Sequence, residues 1–218
     1  MQDSTTSREK ILKQVRAALI HESSVEMKDV DNGADVFTRS EDPLEIQFAQ
    51  QFSEINGMFV FCESENEFIE NIALVVKEKK WENIFCIEPT IKDFLNEASI
   101  PFSDTEKDFL NTNIGFTFCE CLVARTGSIV ISSKQASGRR LLVFPNIHVV
   151  VAYSSQLVHD VKDGLKLIQK KYPNQLPSMI TTISGPSRTA DIEKTLVQGA
   201  HGPKELFLFL IDDIAVEE

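Results

Sequence analysis

Gly185-Pro186-Ser187-Arg188-Thr189 brings together, within five positions, the chemistry of an anion cradle. A glycine lets backbone amides approach a ligand closely. Two hydroxyls can donate, and the guanidinium offers a planar fork matched to carboxylate or phosphate. The stretch lies between an apolar strand, "MITTI", and a segment, "ADIEKTLVQ", that reads as a helix. A helix N-terminus there would add its positive end to the same point. A structural alternative is equally open: Ser187 or Thr189 caps the helix while Arg188 is solvated, or pairs with Asp191 or Glu193.

A second turn, Arg125-Thr126-Gly127-Ser128, joins two apolar strands. It is either an ordinary connection or the other side of one site, with two glycine-and-hydroxyl loops converging on one anion. The candidate ligand-binding residues are thus Gly185, Ser187, Arg188, Thr189, Thr126, Gly127 and Ser128, and the expected ligand is a small anionic metabolite. Gly199 suits a left-handed helix stop, and His201-Gly202-Pro203 turns the chain into its last strand. His201 is a candidate proton carrier. Arg139-Arg140 beside Ser137-Gly138 either flanks an anion or charges a hairpin tip, whereas His148, at the head of a β-branched strand, reads as core. No residue is assigned as catalytic.

Several chemistries are disfavoured. Cys62, Cys86 and Cys119 sit in apolar runs where cysteine acts as a small hydrophobe. Cys119-Glu-Cys121 is not the C-x-x-C spacing of zinc, cluster or redox sites. Histidines 21, 148, 159 and 201 are scattered without ligand spacing, so neither a metal nor a cofactor is expected. There is no Walker loop, G-x-G-x-x-G fingerprint or G-x-S-x-G elbow. The net charge of −11 across 218 residues, without a basic stripe, argues against nucleic acid. No apolar run approaches the roughly 18 residues of a membrane span. The charged, amphipathic N-terminus lacks a signal-peptide core, so a cytoplasmic location is the default.

The elements that must position these groups follow from periodicity. Thr6-x-x-Glu9 makes a capping box, and Ile11, Leu12, Val15 and Leu19 then share one helix face, giving an N-terminal helical arm over residues 1–20. From His21 to Glu45 eight acids face two bases, so residues 21–42 read as an acidic linker. An α/β domain occupies residues 43–218. It opens on Asp42-Pro43-x-Glu45, an N-cap followed by proline at the first helical position. Helix, strand "MFVFCE", helix, strand "NIFCIE" and a short helix follow, with strands apolar on both faces as in a covered parallel sheet. "GFTFCECLVARTGSIVISS" reads as a strand, a polar turn and a strand, followed by "LLVF" and the strand "HVVVAYS". A helix from about Ser155 to Lys171 and the strands "SMITTI" and "ELFLFLI" complete the pattern. The fold class is therefore a Rossmann-like α/β sheet, mainly parallel with a mixed central portion. An arm with an apolar stripe on an acidic tether cannot be a stable helix alone. It should pack on its own domain, on a second copy in a homo-oligomer, or on a partner.

Long stretches of the chain resemble the lactate-utilisation protein C group of LUD-domain proteins, the YkgG type. "SGPSRTADIEKTLVQGAHGP" is similar to that family's C-terminal signature, "SREKILKQVRAAL" to its N-terminal helix, and "ARTGSIVISS" with "FPNIHVVVAYSSQLV" to its central segment. The resemblance implies a fold like that of ribose-5-phosphate isomerase and the coenzyme A transferases. It implies a part in oxidising L-lactate to pyruvate, beside two partner proteins that carry the iron–sulfur clusters. A cluster-free chain fits that division of labour. The alternative is a stand-alone enzyme, isomerase- or transferase-like, acting on a phosphorylated or carboxylated metabolite. Where many members have an acid before the Thr-Gly turn and a threonine after it, this chain has Arg125 and Ser128, which excludes a catalytic acid at position 125.

Overall fold

The computed structural model describes residues 6–20, 41–190, 196–199 and 201–214. Helix α1, Ser7–Ile20, belongs to a unit of its own. It begins as its sequence dictates: Glu9 Oε2 accepts from Thr6 N at 2.9 Å, and Thr6 Oγ1 accepts from Glu9 N at 3.4 Å. The rest of the acidic segment, residues 21–40, lies outside the described residues.

Helix α2, Leu44–Glu54, starts one residue later than its capping sequence suggests, with Pro43 at the N-cap position. It ends where Asn56 takes a positive φ of 62° and Gly57 N bonds back to Phe52 O at 2.8 Å. Strand β1 is Met58–Cys62 and helix α3 is Glu65–Lys79. Ser64 caps α3, its hydroxyl accepting from Glu67 N, and left-handed Lys80 ends it. Strand β2, Ile84–Cys86, leads into helix α4, Pro89–Glu97. Strands β3, Ile114–Phe118, β4, Cys121–Val123, and β5, Ser128–Ser132, follow. After a long irregular connection come β6, Ile147–Tyr153, the short β7, Leu157–Val158, and helix α5, Val161–Lys171. Four further strands are described: β8, Ile180–Ile183, β9, Arg188–Ala190, β10, Leu196–Gln198, and β11, Glu205–Ile211.

Five strands form a wholly parallel sheet in the order β1-β11-β6-β3-β2. Alternation along β11 sorts its residues. Phe207, Phe209 and Ile211 pack with Phe68, Ile72, Phe94 and Leu95 from α3 and α4. Leu206, Leu208 and Leu210 face the other way, onto Phe48 and Phe52 of α2 and onto Leu122, Ile129 and Ile131. Those last three come from a second sheet, β7-β4-β5-β8, in which β5 is antiparallel to both neighbours and β7 runs parallel to β4. The outer face of this sheet, Cys121, Val123 and Val130, is covered by Ile168 of α5. The layers therefore run helices, parallel sheet, mixed sheet with α2, and helix. Between the sheets lies one polar pair, His148 Nε2 and Thr117 Oγ1 at 2.9 Å, both side chains fully buried.

Four local expectations need correction. The apolar run through Cys119 is two strands, broken at Cys119-Glu120, because the chain leaves the parallel sheet there and enters the mixed one. "LLVF" is a turn rather than a strand. The helix placed from Ser155 starts only at Val161, after a 3₁₀ turn and β7. The helix expected over 190–198 is not formed at its described ends: Arg188–Ala190 pair antiparallel with Leu196–Gln198. Among the described residues, no helix N-terminus follows the 185–189 turn.

Candidate functional site

The glycine turns are seats for a helix end. A Cβ on Gly127, which has φ +58°, would lie 2.4 Å from Phe52 N and 2.5 Å from Gln51 C. A Cβ on Gly185, φ +89°, would lie 2.5 Å from Ile55 O. Both glycines thus admit the C-terminal backbone of α2 where no side chain fits. Arg188 Nη2 donates to Ile55 O at 3.4 Å, placing a cation at the negative end of that helix. The two turns do converge: Thr126 Oγ1 donates to Ser128 Oγ at 2.8 Å, and the Ser128 and Ser184 hydroxyls are 2.8 Å apart. Ser187 N and O bond Pro203 O and Gly199 N, closing the second turn. This cluster lies beside the chain entering β1 and β11, at the amino edge of the parallel sheet. Exposed His201 lies at that edge too. Arg125 turns away into a two-point pair with Asp160, at 2.7 and 3.2 Å. The hydrogen bond between them raises the guanidinium pKa and holds the Asp160 carboxyl below its usual range.

The opposite edge is open. A cavity of about 470 Å³ lies at the carboxyl ends of β3 and β6, the crevice where open α/β sheets bind ligands. Phe118 and Tyr153, the last residues of those strands, form one wall, and Glu88 and Thr90, at the start of α4, form another. Lys134 and Gln135 enter from the connection after β5, Gln156 from the turn after β6, and Lys171 and Tyr172 from the end of α5. The Tyr153 hydroxyl donates to Glu65 Oε1 at 2.8 Å. Burial, then the Glu65 carboxylate, pushes the phenol pKa up, so this ring stays neutral.

Beneath the cavity sits Glu120, 1% exposed. Its carboxylate accepts from Ser132 Oγ at 2.5 Å, Tyr172 OH at 3.0 Å and Lys171 Nζ at 2.7 Å. A buried carboxylate must be compensated this fully to be tolerated. Partial burial alone would lower the Lys171 ammonium pKa, but the hydrogen bond and charge of Glu120 outweigh it and raise the pKa. Lys171 is thereby committed to Glu120. Lys134 is different. Its ammonium reaches only the Gln175 carboxamide, at 3.3 Å, and pairs with no carboxylate among the described residues. Glu88, 6% exposed, accepts from Ser137 N at 2.9 Å through Oε1. Cys119 also lines the cavity, but burial holds its thiol well above the ordinary range, so it is protonated and no nucleophile. Cys86 and Cys121 are pushed up to about 12 by the same cause.

The cavity residues Glu88, Lys134, Tyr153, Lys171 and Tyr172 escape motif reading, since they come from four separate stretches of the chain. One signal could have found two of them: Glu88 follows β2 and Tyr153 ends β6, at the carboxyl edge where a parallel sheet presents its ligands. The 185–189 turn follows β8, which belongs to the mixed sheet, so the same rule does not apply there.

The LUD domain family model matches residues 46–211, a span that contains every wall of this cavity. An uncharacterized protein of Neisseria meningitidis is 33% identical over 72% of this chain and 67% of its own length. Lactate utilization protein C 1 of Bacillus mycoides is 32% identical over 55% of this chain and 56% of that protein. Lactate utilization protein C of Bacillus subtilis is 28% identical over 69% and 67% respectively. The chain therefore spans between about half and two thirds of these relatives' lengths. A crystal structure of a DUF162 family protein from Deinococcus radiodurans superposes with a TM-score of 0.57 at 19% identity, covering 77% of this chain and 96% of that one. That likeness supports the fold alone.

Proposed function

Because this chain belongs to the LUD domain family, of the lactate utilization protein C type, we propose that it serves as a cluster-free cytoplasmic component of an L-lactate oxidation system, binding a small carboxylate in the cavity at the carboxyl edge of its parallel sheet. The observation that carries this reading is the family match over 46–211, which encloses the whole cavity. Lys134, charged and without an acid partner among the described residues, is the group that meets the carboxylate. The clusters that pass electrons on reside in partner proteins, and the 1–20 arm packs on its own domain, on a second copy or on one of those partners.

Deleting the gene is expected to abolish growth and oxygen uptake on L-lactate while leaving growth on glucose intact. Unimpaired lactate oxidation would end this reading. In the purified protein, Lys134→Ala is expected to weaken pyruvate binding by one to two orders of magnitude, the worth of one charge-assisted hydrogen bond of roughly 1.5–3 kcal/mol. Titration calorimetry measures it, with the melting temperature as a check on folding.

A second reading keeps the anion at the 185–189 turn, favoured by the contact between Ser128 and Ser184 that joins the two turns. Gly185, Ser187, Arg188, Thr189 and Thr126–Ser128 then hold it, and His201 carries protons nearby. Arg188→Ala separates the alternatives. Loss of ligand affinity at constant melting temperature supports the turn as a site. A lower melting temperature with affinity unchanged assigns Arg188 to the end of α2, where it donates to Ile55 O.

A further inference from the structure

The cavity has more room and more kinds of surface than a three-carbon acid can use. Its volume of about 470 Å³ falls in the range that holds drug-sized ligands. Three features divide the space.

The first is an aromatic shelf. Phe118 and Tyr153 lie nearly parallel, 21° apart with centroids 6.2 Å from each other, and both line the cavity. The shelf is fixed before any ligand arrives. Its residues are diagonal neighbours on the paired strands β3 and β6, and Glu65 holds the Tyr153 hydroxyl. A carboxylate gains nothing from such a surface, whereas a flat heteroaromatic ring does.

The second feature is the Glu88 carboxylate. One oxygen accepts from Ser137 N, and the group lines the cavity with its other oxygen unclaimed among the described residues. It repels an anion but accepts from sugar hydroxyls, as acidic residues do at nucleotide riboses. The third is Lys134, which offers an ammonium with no acid partner among the described residues. Next to it, Gln135 accepts from Ser132 N through its oxygen at 3.0 Å, and its amide NH₂ has no partner among the described residues.

A ring, a polyhydroxyl middle and an anionic tail describe one chemical class. We propose that the cavity binds a mononucleotide, its ring on the Phe118–Tyr153 shelf, its sugar hydroxyls at Glu88 and its phosphate at Lys134. The inference rests on the cavity being the functional site and adds to that reading the class of its larger ligand. Adenine and flavin mononucleotides share this chemistry.

The test is calorimetric titration of the full-length protein with adenosine 5′-monophosphate, riboflavin 5′-phosphate and pyruvate in separate arms. One of the two nucleotides is expected to bind, and which of them does identifies the ring. Phe118→Leu is expected to weaken that nucleotide about tenfold or more, the usual value of a lost stacking surface, while pyruvate affinity holds. Lys134→Ala should weaken both ligands. Tyr153→Phe, which keeps the ring, should retain most of the nucleotide affinity even if Phe118→Leu proves unstable. Pyruvate binding without either nucleotide overturns the inference and leaves the carboxylate reading standing. Nucleotide affinity indifferent to Phe118→Leu overturns the shelf. Binding of none of the three overturns the cavity reading as well.

Discussion

Gly127→Ala is expected to cost roughly 4 kcal/mol and to lower the melting temperature by about 10 °C. Two causes add. At φ +58° a non-glycine residue gives up about 1–2 kcal/mol. The new methyl would also lie 2.4 Å from Phe52 N and 2.5 Å from Gln51 C, atoms of a helix backbone that cannot rotate aside. Relief requires α2 to shift, and overpacking of that kind costs typically 1–3 kcal/mol. Chains of this size lose about 2–4 °C per kcal/mol. Gly138→Ala supplies the control. Its φ is similar, +62°, but its Cβ would meet nothing nearer than Ala136 O at 4.0 Å, so only the conformational cost of about 1–2 kcal/mol applies. Equal losses in the two variants, measured by urea unfolding, would show that the close approach of α2 is not what Gly127 serves.

The second large effect is an acid-side loss of stability centred on His148. Complete burial lowers its pKa from 6.5 to about 4. Between those values the unfolded chain binds a proton that the folded chain refuses, so stability must fall as the pH falls through this window. Above pH 6.5 both states are neutral at this site and nothing is gained or lost. The shift corresponds to about 3 kcal/mol by pH 4. His148→Gln keeps a hydrogen-bonding partner for Thr117 but cannot titrate. Its stability should therefore decline less than that of the parent chain between pH 6.5 and 4, by about that amount. Denaturant unfolding at pH 7, 5.5 and 4 measures the difference. Parallel profiles for the two proteins would show that the decline has another origin. Asp160 acts in the same direction at lower pH: the Arg125 pair is fully present above the ordinary aspartate range and is lost as the carboxyl protonates below it.

Features set by near neighbours were legible in the sequence. The Thr6–Glu9 box caps its helix as read. Strands apolar on both faces, such as β6 and β11, became the centre of a parallel sheet, since that pattern is stable only when both faces are covered. What escaped reading depends on distant partners. Phe118-Cys119-Glu120-Cys121 carries no local break signal, because the change of sheet is driven by Val130 and Val149 waiting on different layers. "ADIEKTLVQ" has helical propensity, yet its ends form a two-stranded ladder, a case of pairing overriding propensity. The same limit hid the cavity. Lys134 and Lys171 are ordinary surface lysines until the fold brings them to one rim, and Glu120 is an ordinary acid until Ser132 and Tyr172 close over it.

The strand order has a consequence for synthesis of the chain. β11 lies between β1 and β6, so among the described strands the latest one made is the partner of the earliest. Val60 waits for Phe209, and nearly the whole α/β body must leave the ribosome before that ladder can form. Until then a nascent chain holds two apolar strands with open edges, the kind of surface that recruits other chains. Assembly dominated by such remote pairings is slow, and a chain interrupted before Glu205 would present both edges with nothing of its own to fill the gap. Translation rate and chaperone supply then act on this chain's yield alongside the stability of the finished fold.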